Sequence, residues 1–217
     1  MLSTSNLPAS GVSKTLNPGQ QTVRINSVEL AKGYNEGSYQ VNLNMEGEDL
    51  GEGFEGFFID NVTKEGDRYK GQVGRVRMSQ YAYADAVTKS GAQINRDQSI
   101  LRGLQNLAKV AGVQAKLDAI EADTIEEYVP LASEVLAKGG YFKAVVGGKE
   151  YLNKGGYTQY DLFLPNSKGG QYAFTALDED PTKLMDFNPA VHILKQAGTT
   201  SAPVDGFSAD KKKAFAV

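Results

Sequence analysis

Apolar and polar residues alternate along much of this chain, with the period of two that marks half-buried strands. Thr22 to Leu30 (TVRINSVEL) and Ser38 to Met45 (SYQVNLNM) both carry the pattern, which predicts two antiparallel strands. Phe54 to Val62 is a further, aromatic-rich strand candidate, and Lys64 to Asp67 is a turn into the next segment. From Arg68 to Tyr83 the alternation continues with cations and aromatics interleaved. Tyr69, Gly71, Val73, Arg75, Arg77 and Ser79, with Tyr81 at the end, line one face, while Gly74, Val76 and Met78 turn inward.

The period then changes. Asn95 is placed to cap a helix with Gln98 reaching back, and Ile100, Leu101, Leu104, Leu107, Ala108 and Ala111 form an apolar stripe that Gly112 ends. A second capping box, Thr124 with Glu127, opens a helical region running toward Ala137. Pro130 interrupts it and predicts a kink or two short helices. Strand signals return at Tyr141 to Val146, Lys149 to Leu152 and Tyr157 to Leu164, with a Gly-rich hairpin tip at Asn153 to Gly156 and a short strand between Gln171 and Leu177. Leu152, Leu162 and Leu164 are the expected core positions of the hairpin, and Tyr160 shares their parity.

Strands, a helical insertion and a closing hairpin, in that order, match a mainly β fold. The matching architecture is an OB-type five-stranded barrel with its helices between the third and fourth strands. An α+β sandwich uses the same elements without closing the sheet. The boundaries expected are a flexible N-terminal arm over 1–19, one domain over 20–177 with its helical insertion at 95–138, and an extended tail over 178–217.

Composition narrows the function classes. The chain has 217 residues and a net charge of −3, so global charge advertises no polyanion partner. Its distribution is uneven: Lys64 to Lys116 holds ten basic residues against four acidic, a local balance of +6, between acidic blocks at Glu46 to Asp60 and Asp118 to Glu134. There is no Cys, which excludes disulfides, thiolate metal sites and Cys nucleophiles. No apolar run approaches the ~20 residues that span a bilayer, and the N-terminus has no basic region followed by an apolar core. The expectation is a soluble, intracellular protein without a membrane partner. The sequon Asn61-Val-Thr63, without a secretion signal, is a chance match.

The candidate chemistry is recognition of a nucleic acid strand. Bases offer π-faces to Tyr, and phosphates offer charge to Arg and Lys. Lys149, Tyr151, Lys154 and Tyr157 repeat around the hairpin tip what Tyr69, Lys70, Arg75, Arg77, Tyr81 and Tyr83 present in the earlier segment, so the two could be facing walls of one groove. The competing reading is a solvated face with ordinary amphipathic side chains. Gly51-Glu-Gly-Phe-Glu-Gly56 matches G-x-G-x-x-G in form only, because acidic residues surround it and a strand follows. Gly147-Gly-Lys149 lacks the upstream glycine of a phosphate loop, and Glu150 stands where Ser or Thr would bind magnesium. His192 is the only histidine and reads as a surface residue. Glu150 and Asp161 form a cross-strand salt-bridge network with Lys149 or, on the alternative, part of a nuclease centre. No enzyme activity, cofactor or metal site is expected.

Gly71 to Val76, Gln80 to Tyr83, Thr88 to Gly91, Gly148 to Tyr157 and Tyr160 to Pro165, taken together and in order, resemble the single-stranded DNA-binding proteins of crAss-like and related tailed phages. The likeness covers Phe54 to Pro165. It implies an OB-type fold, a role coating and protecting single-stranded DNA in replication or recombination, and a location in the cytoplasm of the infected bacterial host. Phage or host replication and recombination proteins are the further partners it implies. Many replication single-strand binders end in an acidic tail that recruits such partners, whereas this chain carries Lys211-Lys-Lys213. Self-association through the arm or tail stays open, as does a second function class, a virion or scaffold component that uses its barrel to meet proteins.

Overall fold

The computed structural model describes residues 14–33, 37–51, 69–81, 85–87, 91 and 93–195. The strands are β1 (Gly19–Lys32), β2 (Tyr39–Gly47), β3 (Val73–Tyr81), β4 (Asp85–Val87), β5 (Gln93–Asn95), β6 (Phe142–Leu152), β7 (Thr158–Phe163), β8 (Phe174–Thr175) and β9 (Ile193–Leu194). The helices are α1 (Arg96–Val110), α2 (Gln114–Leu117), α3 (Ile125–Leu136) and α4 (Pro189–His192). Five strands form a ring in the order β1-β2-β3-β7-β6, closed by pairing of β6 with β1. All its pairs are antiparallel except β3 with β7. Helices α1, α2 and α3 fall between the third and fourth ring strands in chain order, so the mainly β architecture with a helical insertion holds.

Alternation along the strands creates the interior. Val23, Ile25 and Val28 of β1, Val41, Leu43 and Met45 of β2, and Val76 of β3 are buried, and Phe142, Ala144, Val146, Leu162 and Leu164 meet them from the other side. Ile100, Leu104 and Leu107 of α1 with Val129, Ala132 and Leu136 of α3 complete the same core. A residue at the start of β1 can serve two neighbours: Gly19 to Val23 pair with β6, and Val23 onward pairs with β2. Where the β6 edge ends, α3 takes over, and Ser133 Oγ accepts from the Val28 N–H at 2.8 Å.

Several boundaries differ from the sequence reading. Residues 14–18, placed there in a flexible arm, belong to the ring: Val73 N–H donates to the Lys14 carbonyl, Leu16 N–H donates to the Val73 carbonyl, and Leu16 is buried. They fill the edge of β3 that faces away from β2, just before its pairing with β7 begins. Pro130 leaves α3 one continuous helix rather than two; it is exposed, and the Glu126 carbonyl it cannot pair with is on an exposed residue. The two strand segments expected at Tyr141 to Val146 and Lys149 to Leu152 form one strand, Phe142–Leu152, continuous through Gly147 and Gly148. Leu162 and Leu164 are core residues as expected, but Leu152 is exposed because the hairpin projects past the ring at that end. The residues from Asp178 to Lys195, expected as tail, dock on the outside of β6: Leu184 and Met185 pack with Val145, and β9 pairs in parallel with Gly148 and Lys149. The Phe54–Val62 strand candidate and the Lys64–Asp67 turn lie outside the described residues.

Candidate functional site

Register decides what the outer face of the ring presents. Across an antiparallel pair, opposed residues share a face, and the β2–β3 register sets Asn44 against Arg75 and Asn42 against Arg77. The parallel β3–β7 register sets Arg77 beside Phe163, and β7–β6 sets Phe163 beside Gly147 and Asp161 beside Lys149. Arg75, Arg77, Phe163, Lys149 and Tyr151 therefore share one outward face over three strands, while Val76 and Leu162 turn into the core. Two segments far apart in sequence meet here because β7 lies between them.

Arg77 is the centre of that face. Its guanidinium lies 5.9 Å from the centroid of the Phe163 ring, a cation–π geometry. Phe163 can lie flat there only because residue 147 has no side chain; a Cβ on Gly147 would come within 2.6 Å of the ring. Arg75 is more exposed and is held by Glu29, whose carboxylate accepts from its guanidinium at 2.8 Å. Asn44 donates to the other Glu29 oxygen at 2.8 Å, so a carboxylate occupies Arg75 at rest. Asn42, opposite Arg77, is buried, and its side-chain N–H2 has no hydrogen-bond partner among the described residues.

The other predicted contacts divide. Lys149 is exposed, and Tyr151 is half-buried opposite Gln159. Lys154 and Tyr157 stand at the hairpin tip, Tyr157 at 72% exposure, where Asn153 Oδ1 accepts from the N–H groups of Gly155 and Tyr157. Tyr81 ends β3 opposite Tyr39, and its side chain, like all of Tyr83, lies outside the described residues. Tyr69 and Lys70 precede β3 rather than belonging to it. The backbone leading into β3 is pinned: Glu46, 1% exposed, accepts from the N–H groups of Lys70 at 2.8 Å and Gly71 at 3.1 Å. Gly71 passes so close to β2 that a Cβ would meet the Gly47 carbonyl. Arg24 also donates to Glu46, at 2.8 Å and 3.0 Å. Burial first, and then the nearby Glu46 carboxylate, raise the Tyr69 hydroxyl above its ordinary pKa, while Arg24 opposes them.

The hairpin register removes one alternative geometry. Glu150 opposes Tyr160 and Asp161 opposes Lys149, so the two carboxylates project from opposite faces and do not converge. Among the described residues no group of three or more His, Asp or Glu is placed to hold a metal. His192 is half-buried in α4; its Nδ1 accepts from the Asn188 N–H at 3.0 Å, and its ring lies beside Phe187. Among the described residues no helix is long and apolar enough to cross a membrane.

Sequence reasoning missed Phe163, whose role depends on a parallel pairing that leaves no periodic signal, and Asn42, read only as an outward polar position. It also missed Lys14, an exposed cation carried by the segment that pairs with Val73. No protein-family model matches this chain, and no curated protein matches it significantly.

Proposed function

We propose that the chain binds single-stranded DNA, non-catalytically and largely without regard to sequence, on the outer face of β3, β7 and β6. The observation that carries this reading is Arg77 lying over Phe163 with no carboxylate partner among the described residues. A guanidinium over an aromatic ring offers a phosphate its charge and a base its flat face. Arg75, Lys149 and Tyr151 extend the same surface along the strand direction. Wherever such a polyanion lies, it replaces counterions with Lys and Arg, so affinity falls with salt.

The ring order β1-β2-β3-β7-β6, with one parallel pair and its helices between the third and fourth ring strands, supports assigning the fold to the OB type. With the resemblance of residues 54–165 to phage single-strand binders, it supports a role in coating DNA during phage replication or recombination in the host cytoplasm. Replication and recombination proteins, and further copies of this chain, are the partners that role implies.

Fluorescence anisotropy with a labelled oligo-dT and a matching duplex, at 50 and 200 mM salt, tests the proposal. The expected result is saturable binding that prefers the single strand and weakens by at least tenfold at the higher salt, as several phosphate contacts require. Equal affinity for the duplex, or no binding at low salt, contradicts it.

A further inference from the structure

We infer that the cleft where β3 and β7 part is a pocket for one nucleobase of the bound strand. This rests on the strand-binding reading above and gives that face a defined subsite.

The cleft exists for local reasons. In β3 the register with β2 shifts, Val41 opposing Ser79 and Asn42 opposing Arg77, so Met78 is an extra residue with no partner on β2. Such a bulge bends the strand. Met78 packs against the core close to Gly103 of α1. On the other side the β3–β7 ladder runs through the Leu164 N–H, which donates to the Arg77 carbonyl at 2.9 Å, and then meets Pro165, which has no N–H to continue it. Two strands that were parallel neighbours therefore diverge and leave about 300 Å³ of open volume. That is the small end of the range for ligand pockets, suited to one ring system rather than a length of strand.

Its lining matches a base. Phe163 and Pro165 line it together with Arg77 and Asn166. Among the described residues neither the Arg77 nor the Asn166 side chain makes a hydrogen bond. Together they can pair with the carbonyl and amino groups on the edge of a base packed beside Phe163 and Pro165. A phosphate alone would use Arg77 and leave the ring and the amide idle.

The probes are thymidine 5′-monophosphate and 2-deoxyribose 5-phosphate, titrated into the isotopically labelled full chain and followed by backbone amide shifts. The nucleotide is expected to move the amides of Ser79, Leu164 and Asn166, and the sugar phosphate is not. Phe163→Leu, which keeps apolar bulk but removes the π-face, is expected to weaken oligo-dT binding about tenfold. Asn166→Asp, an exposed position that asks nothing of the core, is expected to weaken it severalfold. Equal shifts from both probes, or a Phe163→Leu protein that binds oligo-dT like the wild type, overturns the pocket while strand binding stands. A wild-type chain that binds no oligo-dT overturns both.

Discussion

Among the described residues three arginines lie over aromatic rings, and they are not in the same state. Arg24 lies 5.7 Å from the Tyr141 ring and is closed by the buried carboxylate of Glu46. Arg96 lies 4.2 Å from the Tyr39 ring and is closed by Asp97 at 2.6 Å, while the Tyr39 hydroxyl donates to Glu126. Arg77 over Phe163 has no carboxylate partner among the described residues. The first two arrangements neutralise their charge within the chain and tie elements together: Glu46 fastens the segment before β3 to β2, and Tyr39 fastens β2 to α3. The third leaves its charge to be met from outside. An arginine over an aromatic ring thus serves as a structural clamp in two places and as a receptive surface in a third, and the carboxylates decide which.

Breaking the best-closed arrangement should cost the most. Glu46→Ala removes the acceptor for two backbone N–H groups and for Arg24 at a buried position, and a loss of about 3 kcal/mol is expected in urea unfolding. A loss below about 1 kcal/mol would mean that water satisfies those donors and that Glu46 is no clamp.

The Tyr39–Glu126 contact should show itself through pH. The hydrogen bond from Tyr39 holds the Glu126 carboxyl below its ordinary 4.5, and the same bond, ahead of desolvation, raises the Tyr39 hydroxyl above 10.0. A depressed carboxyl contributes stability above its unfolded pKa and loses it as pH falls through the folded value. A raised phenol contributes stability below its unfolded pKa and loses it as pH rises. Tyr39→Phe is therefore expected to lower Tm by about 2–4 °C near pH 7. The gap should narrow at pH values well below 4.5 and again above 10. A gap that stays constant across the range would assign the loss to packing instead.

Opening a half-closed arginine should have the smallest effect, and in the opposite direction. Glu29 occupies Arg75 through an exposed ion pair, so Glu29→Gln frees a cation on the binding face. Oligo-dT affinity is expected to rise about threefold, the scale of an exposed pair. The rise should vanish when Arg75→Ala is already present. A rise that survives in that background would be a general charge effect.

The clamps and the open face were unequally legible in the sequence. Local signals carried well: Asn95 Oδ1 accepts from the Gln98 N–H and Thr124 Oγ1 from the Glu127 N–H, as their spacing predicted, and the stripe from Ile100 to Ala108 is buried. Val76 inward with Arg75 and Arg77 outward followed from strand parity alone. Non-local partners left no such trace. Glu46 looked like one member of a solvated acidic block, and nothing in its neighbourhood announces the Arg24 and backbone donors that converge on it. Leu16 lies in a stretch rich in Ser, Asn, Pro and Gly, and Leu184 and Met185 in a Pro-punctuated one, yet all three are buried because distant strands supply their contacts. Phe163 gains its meaning only from the parallel pairing with β3. Parity also failed at the end of the hairpin, where Leu152 was counted inward along a strand that outruns the ring.

The central claim is that Arg77 is a charge held for an external strand. Its most direct measurement is the salt dependence of oligo-dT affinity for the wild type and Arg77→Ala side by side, each first checked for an unchanged unfolding midpoint. The account predicts weaker binding by the variant and a log–log slope shallower by about 0.7, the value of one phosphate contact on a single strand. Superimposable affinities and slopes would contradict it.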